Sequence, residues 1–265
     1  MIKKIFLFLL IFLLGSACSK VPMTGRKQMN MVSNKVLFPY SFSKYRSILS
    51  SSKVETSDRS DQIKRIGEKL RSALVAYINK IGKPSLLDAY QWEYQLIVDE
   101  TANAFCMPGG KIVFFTGILP VCQDEGGIAA VMAHEIAHAF ANHSAERISQ
   151  ALLFNLGSTL GRGLQVGDIF NQLYSPVSNL FLLKYSRNNE KEADKIGLYL
   201  MAMAGYDPMQ AISFWERMAK EDKKEKPKSP EFLSTHPYSE NRVKNLKKEM
   251  PKALEYYKQS FISNH

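Results

Sequence analysis

The chain has 265 residues, 45% of them hydrophobic, and a formal net charge of +10. That length can bury a full single-domain core. Its Lys and Arg residues form no stripe interleaved with aromatics, which sets nucleic acid aside and leaves a basic, solvated surface that can meet acidic partners or anionic lipid.

Lys3 and Lys4 precede an unbroken apolar run of ten residues, Ile5 to Leu14, and Gly15, Ser16 and Ala17 lead into Cys18. Ten helical residues span about 15 Å, half a bilayer core, so residues 1–17 read as an export signal rather than a membrane-spanning helix. A cysteine directly after small residues resembles a bacterial lipobox, although Gly15 stands where leucine is usual. The expectation is a lipid on Cys18 anchoring a single domain, residues 18–265, to the periplasmic side of a bacterial outer membrane. A soluble periplasmic protein is the alternative. Export leaves Cys106 and Cys122 in an oxidising compartment, where a disulfide and a pair of buried thiols are both open.

Along the chain, Val21 to Arg26 reads as a turn. Apolar positions at three- and four-residue spacing predict a helix over 58–82, stopped by Gly82 and Pro84. Gln91 to Val98 alternates as a strand does, and Asn103 to Phe115 reads as a hairpin turning at Pro108-Gly109-Gly110. Asp124 is placed to cap a helix from Glu125 to about Ile148. Residues 151–183 are apolar and glycine-dotted and fit a core helix, a membrane-facing surface or a loop over a site. A second helix runs over about 188–204, a charged loop follows at 221–230, and helix returns from Ser239 to about Lys258, interrupted near Pro251. The class is α+β and mainly helical.

The 125–148 helix carries His134-Glu135-Ile136-Ala137-His138. Four helical residues advance about 6 Å and slightly more than one turn, so both imidazoles share a face. Two such nitrogens can bind one Zn²⁺ while the glutamate between them serves as general base. Only five histidines occur in the chain, and three lie between 134 and 143. A third histidine six residues on, with a glycine between, would complete one common ligand set; Ser144 and Ala141 stand there instead. His143 is rotated off the ligand face and reads as structural. Glu190 and Asp194 share a face of the second helix while Glu192 points away. A crossing helix could present Glu190 to zinc and Asp194 to a ligand histidine. A solvated helix N-terminus, where acids are favoured by the dipole, explains the same residues.

The chain resembles the membrane-associated zinc metallopeptidases that include the CAAX prenyl protease type 1, HtpX and the mitochondrial Oma-type proteases, and within them a bacterial periplasmic lipoprotein branch. The resemblance rests on V-P-M-T-G-R-K-Q, N-A-F-C-M-P-G-G-K-I, H-E-I-A-H, S-R-N-N-E-K-E-A-D-K-I-G, A-G-Y-D-P and S-T-H-P-Y. It implies a zincin-like fold holding one Zn²⁺ on His134, His138 and Glu190, with Glu135 as the base and Asp194 behind a ligand histidine. It implies a cleft wall at Asn103, Ala104 and Phe105 that pairs with extended substrate. It also brings His236 near the metal, as an oxyanion stabiliser or a latch, with Arg242 as a candidate for developing negative charge. Cys106 replaces the alanine usual in that family, which counts toward a Cys106–Cys122 bridge without displacing the free-thiol reading. The activity implied is endopeptidase action on misfolded or unassembled envelope proteins; the rival is an assembly factor or chaperone-like binder with a normally closed zinc site, in contact with envelope assembly machinery.

Overall fold

The computed structural model describes residues 18–158, 165–174, 185–223, 230–238 and 240–262. The expected export signal, 1–17, lies outside them, as do 159–164 and 175–184 of the apolar stretch and 224–229 of the charged loop. Strands β1 (Cys18–Lys20) and β2 (Lys27–Met29) form a short antiparallel hairpin. Helix α1 (Asn34–Ser50) follows, unanticipated because Pro39 lies inside it and serines dilute its apolar face, yet Leu37, Phe38 and Tyr45 are buried. Helix α2 (Asp58–Lys80) matches the periodicity, with Ile63, Ile66, Leu70, Leu74 and Ile78 on its buried face.

Strands β3 (Glu93–Ile97), β4 (Ala104–Met107) and β5 (Lys111–Phe115) make a sheet of order β3-β5-β4. The β4–β5 pair is the expected hairpin, with Gly109 and Gly110 at φ of 84° and 86° in its turn, where a side chain is disfavoured. Strand β3 pairs parallel to β5, so β4 is left as an edge. Alternation sends Tyr94, Leu96, Ile112 and Phe114 into the main hydrophobic core, and Ile97, Met107 and Val113 into a second core with Leu37, Phe38 and Tyr45.

After the short helix α3 (Leu119–Cys122) comes α4 (Glu125–Phe140), buried at every position from Gly127 onward. A helix apolar all round must lie inside the molecule, and its many alanines let neighbours approach closely. Asp124 caps it by accepting a 2.8 Å hydrogen bond from the Gly127 N–H. The helix does not continue to Ile148. Asn142 adopts φ of 53°, a left-handed geometry that asparagine tolerates, and α5 (His143–Ser158) sets off afresh. Helix α6 (Val166–Leu173) buries Ile169 and Phe170 in the second core, so this part of the apolar stretch is core helix.

Helix α7 (Arg187–Met203) opens on a capping box in which Ser186 Oγ accepts from Asn189 N–H and Asn189 Oδ1 accepts from Ser186 N–H. It crosses α4 closely at Gly197: a Cβ there would lie 3.0 Å from the backbone nitrogen of His134. Helices α8 (Met209–Asp222), α9 (Glu231–Thr235) and α10 (Glu240–Ile262) complete the molecule. The expected interruption at Pro251 does not occur; the ring sits on the exposed side of α10. Among the described residues no helix is long and apolar enough to cross a membrane.

The α4–α7 crossing predicts that Gly197→Val lowers unfolding free energy by about 1–3 kcal/mol in urea titration, because two helical backbones must separate to admit the side chain. Unchanged stability would contradict the close crossing.

Candidate metal centre

Helices α4, α7 and α9 bring His134, His138, Glu190 and His236 together, each with a ligand atom within 4.8 Å of the others, and all four are buried. His134 Nε2 lies 3.1 Å from His138 Nε2, 3.2 Å from His236 Nδ1 and 3.5 Å from Glu190 Oε2. His138 Nε2 is 3.4 Å from Glu190 Oε1, and His236 Nδ1 is 3.1 Å from the same oxygen. A tetrahedron with metal–nitrogen bonds of about 2.0–2.1 Å has edges of about 3.3 Å, so the donors stand at metal-ligand spacing. The donor set, two or three imidazoles and a carboxylate, suits a zinc-type ion.

The charges of Glu190 and His138 fit that use, whereas His134 must shed a proton to bind a metal. Burial works against ionisation of Glu190, but His236, Arg242 and His138 facing it hold its carboxyl well below the usual range. Burial pushes His138 far down, keeping its ring neutral against the pull of Glu190. For His134, burial and Arg242 oppose a charge, yet hydrogen bonds to Asp194 and Glu190 raise its pKa to about 9. Asp194 Oδ1 lies 3.1 Å from His134 Nδ1, which turns the Nε2 lone pair of that ring toward the cluster. Glu135 is 1% exposed; Cys106 N–H donates to its Oε2 at 3.1 Å, while Oε1 makes no hydrogen bond although His236 Nε2 is 3.3 Å away. Burial raises the Glu135 pKa, with His236 and His134 only partly offsetting it.

Arg242 donates to Asp194 Oδ1 through Nε (3.0 Å) and Nη2 (2.7 Å), sits 3.0 Å from Glu190 Oε2, and lies over Trp215 at 3.4 Å from the ring centroid. Its guanidinium is therefore paired with Asp194 and Glu190, and its Nη2 also lies 3.1 Å from His134 Nε2. Cys106 and Cys122 are free and buried: one is on β4 facing the active helix, the other ends α3, and each packs as a small apolar group. Of the two open states, the free thiols are the one present. Ala104 and Phe105 open the edge strand and Asn103 immediately precedes it, with Asn103 Oδ1 accepting from Ala104 N–H and Phe105 set edge-on against Phe115. Phe232 N–H donates to Ala102 O at 3.0 Å, tying α9 and His236 to this wall.

Several contributors went unread in the sequence. Tyr185 stacks on His138 with centroids 4.0 Å apart, and Phe232 lies 4.6 Å from the His236 ring. The break at Asn142 swings His143 Nδ1 to 2.9 Å from His138 Nδ1, and Glu192 meets His143 Nε2 at 3.0 Å. Both lie on the Nδ1 side of His138, outside the cluster of ligand atoms. Only the left-handed Asn142 could have signalled this, and its conformation has no periodic signature.

Two crossing helices, one bearing H-E-x-x-H and the other a carboxylate, beside a three-stranded sheet, define a zincin-like peptidase architecture. Residues 62–250 match Peptidase family M48, and the chain belongs to that family. It is 43% identical over 186 residues to the mitochondrial metalloendopeptidase OMA1 of Saccharomyces cerevisiae, covering 68% of this chain and 53% of the relative. The human mitochondrial metalloendopeptidase OMA1 is 36% identical over 173 residues, 62% of this chain and 33% of the relative. A putative beta-barrel assembly-enhancing protease of Vibrio cholerae is 32% identical over 185 residues, 66% of this chain and 37% of the relative. The chain thus spans between a third and about half of these relatives' length. They overturn the expected placement as a bacterial outer-membrane lipoprotein: eukaryotic mitochondrial enzymes match at up to 43% identity, against 25% and 32% for the beta-barrel assembly-enhancing protease of Yersinia pestis and the putative one of Vibrio cholerae.

Burial raises both thiols, Cys106 well above its ordinary value, so alkylation at pH 8 is expected to spare Cys106 and Cys122 in the folded protein and label both in denaturant. Peptide mass spectrometry reads the sites; rapid labelling of either in the folded state would contradict the packing.

Proposed function

We propose that the chain is a zinc-dependent endopeptidase acting on extended segments of misfolded or unassembled proteins, with one Zn²⁺ on His134, His138 and Glu190. The convergence of their donor atoms at tetrahedral edge lengths, from two crossing helices, carries the reading. Bound there, zinc would polarise the scissile carbonyl and lower the pKa of a water. Glu135, buried and with one oxygen unbonded, takes the proton of the attacking water and returns it to the leaving amine. Asp194, held by Arg242, fixes the tautomer and tilt of His134. Among the described residues no strand pairs with the outer side of β4, beside Glu135, and only an extended backbone can add to it, which favours unfolded over folded substrates. The expected result is that Glu135→Gln keeps one zinc per chain and loses casein cleavage by at least about a hundredfold. Full activity in that variant would sink the mechanism, and Glu135→Gln rescuing a deletion strain would favour the assembly-factor reading instead.

His236 supports a second statement about the same site. Its Nδ1 stands at the fourth corner, 3.1–3.3 Å from His134 and from both oxygens of Glu190, where a water and a substrate carbonyl must come. We infer a latch that keeps the resting site shut, released when α9 lifts from Ala102. His236→Ala is then expected to speed basal casein cleavage several-fold; loss of cleavage would make His236 catalytic and end the latch reading.

A further inference from the structure

The motif Val21-Pro22-Met23-Thr24-Gly25-Arg26 finds no use in the mechanism above, although it begins three residues after Cys18 and far in sequence from either ligand helix. It forms a closed turn: Val21 N–H donates to Arg26 O at 2.8 Å and Gly25 N–H to Val21 O at 2.9 Å. Met23 and Gly25 both sit at φ of 73°, and Val21 is 1% exposed, plugged into the main core. The turn therefore holds Thr24 and Arg26 in fixed positions.

Both reach the helix that carries Glu190. Thr24 Oγ1 donates to Glu192 Oε1, and Arg26 Nε donates to Glu192 Oε2 at 2.7 Å. The same guanidinium spans Glu146 of α5 with two parallel bonds of 2.7 Å, and Asn189 of α7 donates to Glu146 at 2.9 Å. Glu146 and Glu192 are 6% exposed each. Two buried carboxylates with one cation between them are tolerable only when every lone pair is engaged, and the fork of an arginine does this where an ammonium would not.

The next links run to the metal ligand. Glu192 can only accept, so His143 Nε2 carries the proton between them. A neutral His143 then has an unprotonated Nδ1, which can only accept, so the proton in its 2.9 Å contact with His138 belongs to His138 Nδ1. That leaves His138 Nε2 as a lone pair, and this is the atom 3.4 Å from Glu190 Oε1 and 3.1 Å from His134 Nε2. Asp194 sets the tautomer of His134 directly; for His138 the corresponding carboxylate, Glu192, acts one imidazole further out.

We propose that the Val21–Arg26 turn is a positioning device for His138: Thr24 and Arg26 fix Glu192, Glu192 fixes the His143 tautomer, and His143 presents the His138 Nε2 lone pair to the metal. The proposal rests on His138 being a zinc ligand. His143, Glu192 and Arg26 are positioning residues and touch no reacting atom.

The test uses the full chain in metal-free form, titrated with Zn²⁺ against a chromophoric chelator, with ¹⁵N-histidine spectra of the metal-free protein as an independent readout. Wild type is expected to bind one Zn²⁺ and to show His138 as a single Nδ1–H tautomer. Arg26→Gln and His143→Phe are expected to bind Zn²⁺ about 10–100-fold more weakly and to show a mixture of His138 tautomers. His143→Gln, whose amide offers one acceptor and one donor, is expected to recover most of the affinity. Should His143→Phe fail to fold by circular dichroism, Arg26→Gln carries the same comparison at a residue whose side chain is 27% exposed. Unchanged affinity and a single tautomer in folded Arg26→Gln or His143→Phe would overturn the relay while leaving the zinc reading intact. A wild type that binds no stoichiometric Zn²⁺ would instead overturn the zinc reading itself.

Discussion

The close crossing of two helices is the constraint on which the rest depends. At Gly197, α7 comes near enough to the backbone of His134 that any side chain would meet it at 3.0 Å. That contact places Glu190 and Asp194 of α7 on either side of His134, and it leaves several ionisable groups without water. Charges so placed are costly unless each faces an opposite charge or a hydrogen-bond partner. The surrounding molecule answers that demand: Arg242 from α10 for Asp194 and Glu190, His236 from α9 for Glu190, and Arg26 from the N-terminal turn for Glu192 and Glu146. Segments from both ends of the described chain are thus drawn onto one pair of helices.

This organisation explains why the centre sits under layers rather than in an open groove. Trp215, Phe232 and Tyr185 stack on the buried cations and imidazoles, fixing ring planes and excluding water. A metal site assembled in such surroundings has its lone pairs aimed before an ion arrives, which favours tight binding of a zinc-type ion over loosely held hard cations. The sheet contributes its edge. Strand β4 runs past Glu135, so the element that would hold a peptide in register also touches the proposed base.

Much of this was legible in the residues and some was not. The periodicity of 58–82, the Pro-Gly-Gly hairpin and the Asp124 cap are local signals, and each matches an element of the structure. The His134–His138 pair is local too, because one helical turn sets its spacing. Glu190 had two readings until the crossing with α4 chose between them, since a helix periodicity reports a face but not what that face meets. His143 is not among the clustered ligands, as its place off the ligand face implied, but its contact with His138 Nδ1 went unread because a single left-handed residue at Asn142 sets where α5 begins. Arg242 was read from its charge alone, and the carboxylates that occupy it come from a helix 48 residues away in sequence. The apolar character of Cys106 and Cys122 decided their state, which composition and compartment left open.

The central claim is that two crossing helices supply an all-nitrogen-and-oxygen zinc site. The zinc K-edge absorption spectrum of the chain loaded with one equivalent of Zn²⁺ tests it most directly. The account predicts a first shell of nitrogen and oxygen at about 2.0–2.1 Å with the multiple-scattering signature of two or three imidazoles. A sulfur shell at about 2.3 Å, or the signature of a single imidazole, would contradict it.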